Sequence, residues 1–148
     1  MSTIAPSLEA MQAITARVNA GTAYMLDVKA ESRELNIDPL EEIDGLRVDV
    51  CHESEQQLFE TLDAVDNTEH VLRIWIRKKV AAITSDELEP LRLLCRQILR
   101  QVDQYVTTDW RVRVWQAGFE TQEVVDKAVL YSQRIFVSSI SVTVQVKP

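Results

Sequence analysis

Glycine, proline and cysteine are all scarce. Three glycines, at positions 21, 45 and 118, cannot build a Gly-rich phosphate loop. With only four prolines besides, little of the chain has the composition of a linker or a disordered tract. Two cysteines, Cys51 and Cys95, lie far apart; a disulfide between them is possible, but buried thiols in a reducing cytoplasm are the expected state. No GxSxG, HExxH or CxxC occurs. No apolar run approaches the roughly 20 residues that span a bilayer. The opening MSTIAPSLEAM has neither a basic n-region nor an apolar h-region, so neither a signal peptide nor a membrane partner is expected. There is no internal repeat.

Positive charge is also in deficit. The net charge of −7 argues against a protein that grips nucleic-acid phosphate, though not against one that nucleic acid merely passes. Hydrophobic residues make up 46% of 148 positions and charged residues 26%, an ordinary globular balance at the size of one domain, expected to span residues 1–148.

Periodicity supplies the elements. Leu8, Met11, Ile14 and Val18 share a face at helical spacing, which predicts a helix over 7–20 with Ser7 as N-cap and a stop at Asn19–Gly21. From Tyr24 the period becomes two, and Leu26, Val28 and Ala30 predict a strand. Residues 31–45, ESRELNIDPLEEIDG, read as a long acidic surface loop. A strand is expected at 46–53. Residues 69–80 predict another, with Leu72, Ile74 and Ile76 on one side and Arg73, Trp75 and Arg77 on the other. Within 85–105, Leu88, Leu91, Leu94 or Cys95, Ile98, Val102 and Tyr105 form a continuous stripe. Asp86 and Glu89 resemble a capping box, and Pro90 suggests that regular helix starts only near it. Residues 109–117 alternate with Trp110, Val112 and Val114 on one face, and 134–146 with Phe136, Ser138, Ile140, Val142, Val144 and Val146 on one face. The order predicts an α+β fold: an antiparallel sheet of about four to five strands, with the N-terminal helix and one main helix on one face.

Candidate chemistry is thin. Adjacent Cys51 and His52 point to opposite faces of a strand, which disfavours both a zinc site with His70 and Cys95 and a Cys–His nucleophile. No catalytic residue, metal or cofactor is expected. The carboxylates of the 31–45 loop lack apolar neighbours to tune them for acid–base work. Arg77, Lys78 and Lys79 end a strand, where lysines commonly guard an edge. Trp75 and Trp115 sit beside arginines, opposite their strands' aliphatics, and hint at a second packed surface. The candidate contact residues are therefore Glu34, Asp38, Glu41 and Glu42 of the loop, with Arg77, Lys78, Lys79, Arg111 and Arg113 as their counterparts, and Trp75 and Trp115 of the second packed surface.

Three blocks, in order over about 100 residues, carry a family resemblance: GLRVDV from Gly45; VLRIWIRKKV followed by ELEPLRLLCRQILRQV; and the closing IFVSSISVTVQV. The run resembles the siphophage tail-terminator and tail-completion (neck) proteins. The resemblance also favours an extended reading of the otherwise ambiguous 54–67. It implies a structural virion protein without enzymatic activity, a subunit of a ring, commonly hexameric, at the head–tail junction. Its partners would be copies of itself, the tail tube protein and the head–tail connector, with DNA only passing through the channel and assembly in the host cytoplasm. Six copies at −7 would carry about −42, which suits an unsticky DNA channel. The alternative is a non-viral oligomeric protein-binding module.

Overall fold

The computed structural model describes residues 4–34, 45–58, 67–119 and 126–147. Along the chain these form α1 (Pro6–Asn19), β1 (Ala30–Arg33), β2 (Leu46–Leu58), β3 (Asn67–Lys79), α2 (Ser85–Val102), β4 (Val112–Phe119), α3 (Lys127–Gln133) and β5 (Ile135–Val146). The strands make one sheet in the order β1-β2-β3-β5-β4. The fold is α+β as expected. The antiparallel part comprises β2, β3, β5 and β4, while β1 joins parallel to β2, making the sheet mixed.

The sheet's two faces follow from strict alternation. Leu72, Ile74 and Ile76 of β3 stand beside Val142, Ile140 and Ser138 of β5, all buried. Val48 and Val50 of β2 continue that face on one side, and Val112 and Val114 of β4 on the other. The α2 stripe of Leu88, Leu91, Leu94, Cys95, Ile98 and Val102 is wholly buried in the same core. Fully burying each of its leucines contributes roughly 1.5–3 kcal/mol. The two long helices are clamped at their C-terminal ends. Arg17 Nε donates to the Gln101 carbonyl (2.7 Å), and Gln101 Nε2 donates to the Arg17 carbonyl (3.0 Å).

Several local expectations are corrected. The α1 N-cap is Ala5 rather than Ser7, with Pro6 preset in the first turn. Ala10, not Leu8, completes the buried stripe, because Leu8 lies roughly 100° round the helix from the stripe's centre. Residues 24–29 alternate in burial but join no strand, since the Met25 N–H goes to Gln97 Oε1 of α2 (2.8 Å). Pairing starts only at Ala30, whose N–H and C=O are both taken by the Asn19 side-chain amide (2.7 and 3.0 Å). Glu31 to Arg33, expected at the head of a loop, are therefore strand. Residues 35–44, the rest of that loop, lie outside the described residues, as do 59–66. The extended reading of 54–67 holds where β2 runs on to Leu58 and β3 begins at Asn67.

Helix α2 begins at Ser85, five residues ahead of Pro90. So near the helix start the proline forfeits one backbone bond, to the Asp86 carbonyl. The expected capping box is absent. Thr84 is the N-cap, and the Glu89 carboxylate accepts from Arg92 instead (2.6 Å). Tyr105 lies beyond the helix but still packs on the core. Helix α3, unforeseen because seven residues show too little period, is capped by Asp126, which accepts from the N–H groups of Ala128 and Val129. Gly21 is required by close approach: a Cβ there would lie 2.3 Å from the Tyr24 ring, whose hydroxyl donates to the Val18 carbonyl.

Leu94 is fully buried between α2 and the sheet. Leu94→Ala should cost about 2–5 kcal/mol in urea unfolding, and Leu94→Asp should abolish the cooperative transition. An unchanged midpoint for either would show that this face of α2 is not the packed one.

Candidate interaction surface

The face of the sheet opposite the apolar side chains of β3 is charged and internally paired. Asp49, 1% exposed, stands between two guanidiniums: Arg77 Nη2 donates to Oδ2 at 2.9 Å and Arg33 Nε lies 3.1 Å from Oδ1. The register places Asp49 opposite Trp75, so Arg77 is its diagonal neighbour, within reach of a long side chain. Arg33 also meets Glu31 (3.1 Å), and Arg73 meets Glu53 (3.0 Å) while lying over the Trp75 ring (5.2 Å). Half-buried Trp75 is thus packed within its own chain's network.

This arrangement splits the candidate contact residues. Arg77 is 2% exposed and committed to Asp49. Lys78 is half-buried, on the opposite side of β3, beside Leu46 and Phe136, and only Lys79 of that cluster is exposed. Arg111 makes a two-pronged bond to Glu9 of α1 (2.7 and 3.1 Å), tying the start of β4 to the first helix. Glu34 is exposed. Asp38, Glu41 and Glu42 lie outside the described residues. Arg113 and Trp115 do come together, with the guanidinium 5.1 Å from the ring centroid, and Trp115 is 58% exposed.

Trp110 supplies what sequence reasoning missed. It was expected to point inward with Val112 and Val114; instead it sits in the turn before β4 with φ 61° and is 66% exposed. Asp109 organises that turn, accepting from Thr107 Oγ1 (2.6 Å) and from the Arg111 N–H (3.1 Å). A Thr-x-Asp pattern of this kind is a turn signal that could have been read. Trp115 faces outward in phase with Arg113, opposite Val112 and Val114, and is the extra residue of a bulge between Val114 and Gln116. The result is an open cleft of about 750 Å³, lined by Trp110, Trp115, Arg111, Arg113 and Lys147 among others.

The histidines form a different feature. His52 Nε2 and His70 Nδ1 are 2.9 Å apart, and His70 Nε2 lies 2.8 Å from Thr68 Oγ1. His70 is fully buried, and burial holds its pKa below the ordinary 6.5, with Glu55 opposing. Among the described residues, no three His, Cys, Asp or Glu side chains gather as metal ligands would. Cys51 and Cys95 are free and buried, as expected of packing residues. Burial pushes the Cys95 thiol up to about 12 and raises that of Cys51 as well, so neither sulfur is primed as a thiolate. No helix among the described residues is long and apolar enough to cross a membrane.

No family model matches the chain, and no curated protein does. Among solved structures, a chain from the virion of a native gene transfer agent particle shares its fold. The likeness has a TM-score of 0.55 at 13% identity and covers 96% of this chain and 98% of that one. At that identity it establishes the shared architecture from end to end.

Two outcomes test the buried polar groups. Asp49→Ala should destabilise by about 3–5 kcal/mol, because it removes the carboxylate shared by two arginines, one of them buried. For His70, a pKa depressed on folding means that the unfolded chain binds the proton more tightly. Its contribution is therefore fully present above pH 6.5 and is lost as pH falls through the folded value. The urea midpoint should fall between pH 7 and about 5.5, and His70→Gln should flatten that slope.

Proposed function

We propose that this chain is a non-catalytic structural subunit of a tailed-phage-type virion, forming a ring at the head–tail junction that caps the tail tube and joins it to the head. The observation that carries this reading is the shared fold with a gene transfer agent virion chain, nearly complete over both chains. The ordered blocks at Gly45–Val50, Val71–Val102 and Ile135–Val146, which resemble neck proteins, point to the head–tail junction within such a particle.

The physical properties support the role. A ring needs heterologous contacts that close on themselves, and a mixed sheet with two chemically different edges offers a subunit with distinct front and back. The net charge of −7, repeated round a ring of six, lines a passage that offers DNA few cations to bind. The paired arginines of β1 and β3 fit the same picture, because their charge is answered within the subunit.

Inactivating the coding sequence in a phage or gene-transfer-agent background that depends on it should leave filled heads and separate tails of irregular, excessive length in electron micrographs. Complementation with the intact chain should restore joined particles. Normal joined tails in the inactivated strain would remove the junction role and leave a protein-binding module outside the virion as the better reading.

A further inference from the structure

We propose that the cleft at the start of β4 receives a second copy of this chain, through the acidic stretch between its β1 and β2. The inference deepens the ring reading by naming the contact. The cleft is built to stay open: Trp110 and Trp115 are 66% and 58% exposed, and Trp110 and Gln104, both lining it, hold φ near 60°, a conformation costly for residues other than glycine. Three cations, Arg111, Arg113 and Lys147, share the wall with the indoles. Arg111 is already answered by Glu9, which leaves Arg113, stacked on Trp115, and Lys147 to meet incoming charge.

The complementary chemistry lies in the same chain. Residues 34–44, ELNIDPLEEID, carry five carboxylates and no lysine or arginine, interleaved with Leu35, Ile37, Leu40 and Ile43. Aliphatic groups would lie on the indoles, and carboxylates would meet Arg113 and Lys147. The stretch starts and ends on β1 and β2, whereas the cleft is on β4 at the opposite edge of the sheet. Three to four strand spacings, roughly 15–19 Å, separate them, so only a fully stretched segment would reach its own chain's cleft. A neighbour set edge to edge presents it directly. Because donor and acceptor occupy opposite edges, the contact is head-to-tail and repeats, and it closes into a ring if the rotation permits.

Sedimentation of the purified full-length chain tests this. The intact protein should self-associate beyond a dimer. Trp115→Ala and Arg113→Glu should each weaken association roughly tenfold or more, with circular dichroism and melting unchanged. The double change Glu41→Lys, Glu42→Lys should do the same. Combining it with Arg113→Glu should recover part of the loss, which a general surface defect would not. A chain that stays monomeric at every concentration, or cleft variants that associate as tightly as the intact chain, would overturn the proposal. So would retention of a single-stranded oligonucleotide that Trp115→Ala abolishes while self-association is untouched. Cleft variants that still assemble, in a background where inactivation leaves heads and tails unjoined, would remove this contact and keep the virion role.

Discussion

Twelve consecutive residue pairs between β3 and β5, from Thr68–Val146 to Lys79–Ile135, govern the rest of the molecule. Their register decides which side chains meet α1 and α2 and which face the other way. A slip of one residue would send Leu72, Ile74 and Ile76 to the charged face and expose Arg73, Trp75 and Arg77 to the core. The penalty on both faces is large, because one side is a continuous apolar layer and the other holds an almost fully buried carboxylate–guanidinium pair. Once β3 and β5 are locked, β2 and β4 can add only in the phase that puts Val48, Val50, Val112 and Val114 beside them.

The same division of faces shapes the candidate interaction surface. Arginines near the middle of the sheet are drawn into pairs with Asp49 and Glu53, so their charge serves the fold. At the β4 edge, a turn organised by Asp109 takes Trp110 out of the strand's phase, and Trp115 faces outward with Arg113, so both tryptophans stand in the open. Exposed indoles beside guanidiniums are the composition that interfaces favour. The central network serves the fold, and the edge cleft is the part of the sheet left open for the proposed contact.

Much of this was legible from periodicity. The β3 alternation, the α2 stripe and the β5 strand each depend on a local period that a packed layer requires, and each is present with the expected residues inside. What was not legible depends on partners rather than period. Leu26 and Val28 alternate as a strand would, yet α2 captures the Met25 N–H and the ladder starts only at Ala30. Nothing local tells β1 to run parallel. The basic run Arg77-Lys78-Lys79 reads as one cluster, but the pleat sends neighbours to opposite faces and Asp49, on the adjacent strand β2, claims the arginine. The simple alternation puts Trp110 inward with Val112 and Val114, but β4 starts only at Val112 and the positive φ of Trp110 belongs to the preceding turn. The distant fold relative lay beyond sequence matching, because at 13% identity what persists is the order and spacing of apolar faces.

The central claim is a position: a ring of this chain, coaxial with the tail, between tube and head. Cryo-electron microscopy of purified particles, with the subunit fitted into the density of the junction, measures it directly. The account predicts a closed ring in which the β4 edge of each copy faces the β1–β2 edge of the next. Particles that lack the chain, or that carry it in the head lattice or along the tail, would contradict it.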